Sequence, residues 1–270
     1  MTQSDKNFTG SIPDFYDEYL VPLIFEPYAR DMANRVAHLS PRTVLETAAG
    51  SGVVTRVLAP LLGKNTRHVV TDLNQPMLDR AKSQQPPGSR IEWKQADALD
   101  LPFEDNSFDA VHCQFGAMFF PDKSAGFREA RRVLHDGGHF IFNVWDRIEE
   151  NVFAQSVTAT AARLYPDDPP VFLARTPHGY HDTEVILRDL RKAGFEQVEV
   201  NTIAEQSRAA SAHIPALAYC QGTPLRNELE ARAVNSLDEV TKAAADDIRK
   251  VFGNGPVSAK IQGHVFVARG

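Results

Sequence analysis

Three carboxylates carry the first chemical reading of this 270-residue chain: Glu46, Asp72 and Asp97, each following a short strand-like run. Glu46 ends Thr43-Val-Leu and opens into small residues that finish Gly50-Ser-Gly52, after which Val53–Pro60 has helical spacing of apolar residues. A strand, a small-residue turn and a helix start let a ligand approach the backbone closely. The acid at the strand end disfavours a phosphate there and favours an ammonium or sulfonium group. Asp72 stands 20 residues beyond Gly52, where a strand-end carboxylate accepts hydrogen bonds from ribose hydroxyls. Asp97, in Gln95-Ala-Asp-Ala98, is placed to accept from an adenine amino group, with Leu73, Met77 and Ala98 as apolar contacts for the ring. Met77 fits a helix core equally well. A dinucleotide requires a third small residue after Gly-x-Gly to make room for pyrophosphate. Thr55 occupies that position, so a positively charged mononucleoside fits better.

The elements that must position these residues alternate regularly. Residues 14–39 read as helical and aromatic-rich, interrupted by Pro22 and Pro27. Strand patterns then occur at 43–47, 67–72, 91–95, 108–114 and 138–145, with helical patterns at 52–61, 75–84 and 122–135 between them. Asn74 with Pro76 opens one helix, and Gly137-Gly138 is expected to close another. Such alternation implies right-handed crossovers and a doubly wound, mostly parallel α/β sheet, which binds ligands at the carboxyl ends of its strands. After Asp146 the rhythm changes. A helix at 150–164, a loop at 165–170, a capped helix at 182–194, a strand at 195–203 and a helical stretch at 213–252 precede a last strand, expected at the sheet edge, within 257–268. The expectation is a single domain over 1–270, with an N-terminal helical lid (1–40) and a small helical cap from insertions at 147–180 and 208–252.

Composition narrows the function class. Apolar residues make up 43% and charged residues 24%, as in ordinary globular proteins, and the formal net charge is −6. That charge argues against a nucleic-acid partner; Arg128, Arg131 and Arg132, and Arg188, Arg191 and Lys192, have helical spacing beside acids and read as solvated faces. No apolar run has membrane-span length, and the first residues carry no signal region, so no membrane partner is expected. Cys113 and Cys220 are too few for a disulfide framework, which suits a reducing cytoplasm.

The ordered motifs resemble those of the class I S-adenosylmethionine-dependent methyltransferases. Val44-Leu-Glu-Thr-Ala-Ala-Gly-Ser-Gly52 resembles motif I, and Val70-Thr-Asp-Leu-Asn-Gln-Pro-Met-Leu78 the second motif. Asp97–Asp109 is similar to the third-strand exit, and Phe127–His139 to the segment before the fifth strand. The likeness covers residues 40 to 146 and is closest to the small-molecule branch that includes quinone-biosynthesis C-methyltransferases. It departs at Ala48, where the first motif I glycine usually stands. The resemblance implies a seven-stranded Rossmann-like methyltransferase fold binding S-adenosyl-L-methionine and releasing S-adenosyl-L-homocysteine. It implies Glu46 and the backbone of Ala48, Ala49, Gly50 and Gly52 near the methionine portion, Asp72 on the ribose, Leu73 and Met77 against adenine, Asp97 and Ala98 at the adenine edge, and Gln114 near the sulfonium.

Methyl transfer from a sulfonium is an in-line displacement whose barrier falls through positioning and exclusion of water. A base is needed only when the acceptor is a hydroxyl or an acidic carbon. The Pro-Pro-aromatic motif of enzymes that methylate base or glutamine amino groups is absent from Cys113–Pro121, which leaves a small-molecule acceptor as the expectation. Candidate acceptor walls are Tyr16, Tyr19, Phe119 and Trp145. His178 and His181 are candidate general bases or ordinary loop histidines, and lacking a sequence-adjacent carboxylate or cysteine cluster they give no metal site. Two alternatives stand beside this reading: an S-adenosylmethionine-binding protein with a non-methylating role, and a methyltransferase acting on protein or RNA.

Overall fold

The computed structural model describes residues 12–232 and 235–270. Residues 1–11 of the expected lid and residues 233–234 of the second insertion lie outside the described residues. Helices in chain order are α1 (Ile12–Phe15), α2 (Glu26–His38), α3 (Val53–Leu58), α4 (Gln75–Ser83), α5 (Lys123–Val133), α6 (Val152–Leu164), α7 (Phe172–Arg175), α8 (Thr183–Lys192), α9 (His213–Gln221), α10 (Leu225–Arg232) and α11 (Leu237–Phe252), with a π-helix over Tyr16–Phe25. The chain divides into two compact units. One comprises residues 26–144, 181–203 and 263–270; the other comprises the described residues up to Phe25 with 145–180 and 204–262.

Strands β1 (Thr43–Glu46), β2 (Arg67–Asp72), β3 (Ile91–Gln95), β4 (Phe108–Gln114) and β5 (Leu134–Trp145) lie in the order 3-2-1-4-5, with every neighbouring pair parallel. β1, β2 and β4 are buried along almost their whole length, as parallel strands covered on both faces are. β7 (Val257–Arg269) lies between β5 and β6 (Gln197–Ala209), so the sheet has seven strands and β6 is the edge. The C-terminal strand is therefore interior to the sheet and not at the expected edge. Its His264-Val-Phe-Val run is largely buried because a strand intercalates on either side. β7 runs antiparallel to β5: Gly270 exchanges backbone bonds with Gly137 and Gly138, whereas Gln262 accepts from the Asp146 N–H.

The expected glycine stop of α5 is a second correction. α5 ends at Val133, and β5 begins at once, with Phe108 opposite Leu134 but Ala110 opposite His139. The extra residues form a bulge in which Gly137 takes φ 77°, a left-handed conformation that glycine adopts without strain. α5 is capped by Asp122, whose carboxylate accepts the Ala125 N–H, and buries Gly126, Phe127, Ala130 and Val133 on one face. Phe127, Phe140, Phe142, Phe195 and Phe266 meet ring to ring and form the core of this unit.

In the other unit, α6 and α11 are joined by Thr160 and Arg163 bonding to Asp247. α11 opens with a reciprocal cap between Ser236 and Glu239. The π-helix contains Pro22, which has no N–H to donate to an ordinary helical ladder, and the widened turn accommodates that loss.

Candidate functional site

The turn after β1 is built from left-handed residues. Ala48, Gly50 and Gly52 take φ 52°, 58° and 76°. The Ala49 N–H donates to the Thr71 carbonyl and the Thr47 N–H to that of His112, so both neighbouring strands hold the turn. A Cβ on Gly52 would lie 2.8 Å from the Ala81 Cβ, so only glycine lets α4 pack there. Ala48 keeps its methyl group at positive φ because Gly116 opposite it has none: a Cβ on Gly116 would lie 2.5 Å from that of Ala48.

Asp72, at the end of β2, closes the turn. One carboxylate oxygen accepts the Gly50 N–H at 2.8 Å and the other the Asn74 N–H at 2.8 Å. Burial raises its pKa, and the N–H donors of Asn74 and Gly50 oppose that shift. Asn74 thus serves Asp72 through its backbone, and its side chain makes no helix-capping bond. Beside it Leu73 is 41% exposed, an open apolar surface at the strand end. Asp97 is exposed and accepts the Leu99 N–H, while Ala98 is half-buried. Met77 is buried in α4 with Leu78 and Ala81. Gln114 ends β4 half-buried, next to Phe115, which takes φ 49° and is held by the backbone and side-chain oxygens of Asn143. A bulky residue in that conformation costs ~1–3 kcal/mol and belongs to sites that need a fixed geometry. The turn, Asp72, Leu73 and Asp97 all lie at carboxyl ends of parallel strands, and the glycine cradle and carboxylate fit an adenosine carrying a sulfonium.

Glu46 is withdrawn from the turn surface. The residue is 1% exposed, and its carboxylate accepts the Thr55 hydroxyl hydrogen at 2.6 Å. Burial pushes its carboxyl up to about 8, against the opposing Thr55 bond. Thr55 therefore occupies the position of a third small residue for a reason: its hydroxyl partners Glu46. His68 of β2 and His112 of β4 stand with Nε2 atoms 3.9 Å from the same Glu46 oxygen. Burial pushes His68 down to about 4 and His112 down to about 3. All four ring nitrogens lack a hydrogen-bond partner, a cost of ~1–3 kcal/mol for each buried polar group left so. The sequence raises metal chemistry only at His178 and His181; this cluster takes one residue from each of three separate strands, which leaves no local motif.

The acceptor candidates fall in both units. Tyr16 stacks on Phe25 (5.1 Å), while Phe25 meets Trp145 (5.8 Å) and Trp145 meets His178 (6.2 Å) as tilted pairs, one aromatic line within one unit. Tyr19 packs on Phe15 in the same unit. His178 is buried with Nδ1 2.8 Å from the Asp146 carbonyl oxygen. A carbonyl only accepts, so Nδ1 carries a proton. Phe119 and His181 belong to the other unit, both half-buried. No helix among the described residues is long and apolar enough to cross a membrane.

Residues 45–142 match the family described as a methyltransferase domain. The chain is 29% identical over 173 residues to a demethylmenaquinone methyltransferase of Clavibacter sepedonicus, covering 61% of this chain and 69% of that protein. It is 39% identical over 102 residues to a ubiquinone/menaquinone biosynthesis C-methyltransferase of Hahella chejuensis, covering 37% and 41%. Among solved structures, the YcgJ protein from Bacillus subtilis aligns with TM-score 0.57 at 18% identity over 90% of this chain and 98% of that one. The [4+2]-cyclase SpnF aligns with TM-score 0.51 at 17% identity over 89% and 80%.

Proposed function

We propose that this chain, whose residues 45–142 match a methyltransferase domain, is a class I S-adenosylmethionine-dependent methyltransferase that methylates a small, partly apolar molecule. The observation that carries the donor side is the left-handed turn closed by Asp72. In this reading Asp72 receives the ribose hydroxyls, Leu73 and Ala98 meet the adenine ring, Asp97 accepts from its amino group, and the Ala48–Gly52 backbone and Gln114 hold the methionine end. Glu46 supports the turn from behind through Thr55. When bound, the sulfonium supplies an electrophilic methyl group.

On the acceptor side, the aromatic line Tyr16–Phe25–Trp145–His178 and the quinone-pathway names of the curated relatives support a ring-bearing substrate. Tyr19, Phe119 and His181 are further candidates for contact with it, and lid and cap roles for residues 1–40, 147–180 and 208–252 belong to the same proposal. His178, with its proton fixed on Nδ1, is the candidate base for an acceptor whose oxygen or carbon must lose a proton. The test is transfer of labelled methyl to a panel of hydroxylated aromatic molecules, set beside protein and RNA acceptors. Label on a small aromatic, with kcat reduced ~10²–10⁴-fold and its acid-side pH dependence lost in His178→Gln, is expected. Label only on macromolecules, or none on any acceptor despite cofactor binding, contradicts it.

A further inference from the structure

We propose that Glu46, His68 and His112 form a buried site for a divalent first-row transition-metal ion, zinc foremost. The three residues come from adjacent parallel strands, β1, β2 and β4, and their side chains share one face of the sheet: Val44 pairs with His68, and Glu46 with His112. One ligating atom from each lies within 4.8 Å of the others, and the Glu46 oxygen is 3.9 Å from the Nε2 of either histidine. Tetrahedral zinc with bonds of ~2.0–2.1 Å sets its ligand atoms about 3.4 Å apart, so small side-chain rotations close the site.

The distances are too long for hydrogen bonds, and both imidazoles are enclosed with no other partner. A metal ion supplies one of the two partners each ring lacks, an electron-pair acceptor for Nε2, and gives the enclosed carboxylate a positive counterpart. Two neutral imidazoles and one carboxylate are a nitrogen–oxygen set suited to zinc rather than to magnesium or calcium. The Thr55 hydroxyl on the Glu46 oxygen orients the carboxylate from outside the ligand set, as partners of metal ligands commonly do. With a water molecule as its fourth ligand, the buried ion would tie together three strands directly beneath the turn, independently of what the turn binds.

The experiment uses the full chain, purified without a metal-binding tag. Elemental analysis is expected to find about one zinc per chain, and X-ray absorption at the zinc edge a first shell of nitrogen and oxygen with imidazole scattering. Refolding with Co²⁺ in place of zinc is expected to give the visible absorption of a four-coordinate ion. His68→Gln and His112→Gln are each expected to lose the metal. Should either variant fail to fold, the wild-type absorption spectrum decides alone. Absence of metal from the purified chain together with no uptake of Zn²⁺ or Co²⁺ on refolding overturns the proposal. So does a sulfur-containing first shell, or full metal content in folded variants of both histidines.

Discussion

Ala48 holds the left-handed backbone that motif I normally gives to glycine, at φ 52°. An L-residue there costs ~1–2 kcal/mol, and the added freedom of glycine in the unfolded chain returns roughly 0.5–1 kcal/mol of that. Ala48→Gly is therefore expected to stabilise the protein by about 0.5–1 kcal/mol, read as a higher denaturant midpoint; a lower midpoint would mean the methyl group packs better than it strains. Gly116 is the counterpart, since its Cβ would meet Ala48 and the Cys113 Sγ, the latter at 2.7 Å. Gly116→Ala should cost ~1–3 kcal/mol, and a double-mutant cycle with Ala48→Gly should recover at least ~0.5 kcal/mol. Strict additivity would deny the contact. The departure at Ala48 was legible in the sequence, but its compensation was not. Nothing local marks Gly116, 68 residues away, as the residue that makes room. Glu46 shows the same division: its place at the strand end could be read, whereas which face its side chain takes depends on Thr55, His68 and His112.

Strand and helix placement through β1 to β4 could be read closely because each element carries its own period and its own stop. β5 could not, since its first turn is a bulge set by pairing with β4 rather than by a local signal. The helix pair α6 and α11 offers a test at this scale. Burial alone would raise the Asp247 carboxyl, but Lys250, Arg163 and Thr160 outweigh it and hold it at about 2, against an ordinary 3.8. Between those values the unfolded chain binds the proton and the folded chain does not. The contribution is thus complete above the ordinary value and is lost as pH falls toward about 2. Arg163 is largely exposed, so screening limits the effect to about 1 kcal/mol or less. Chemical denaturation at about pH 5 and about pH 3 should show a smaller acid loss in Asp247→Asn than in the wild type; equal losses would contradict the assignment.

At the scale of the whole molecule, two compact units are assembled from interleaved stretches of chain. Alternation along the first half made the parallel sheet readable, because a βαβ unit joins neighbours in sequence to neighbours in space. The position of β7 between β5 and β6 rests on contacts among three distant segments and leaves no periodic mark. The residues proposed for the donor side belong to one unit: type and spacing mark Asp72, Leu73 and Asp97, and the family resemblance adds the Ala48–Gly52 backbone and Gln114. The proposed acceptor side draws on aromatic contacts that only the folded chain brings together. Recognition of a sulfonium nucleoside by the turn and Asp72 can be measured by calorimetry on the full chain. S-adenosylmethionine is expected to bind at a single site while NAD gives no heat, and Asp72→Ala is expected to weaken binding by ~1–3 kcal/mol, roughly 5- to 150-fold. Tight NAD binding without response to S-adenosylmethionine, or unchanged affinity in Asp72→Ala, would contradict it.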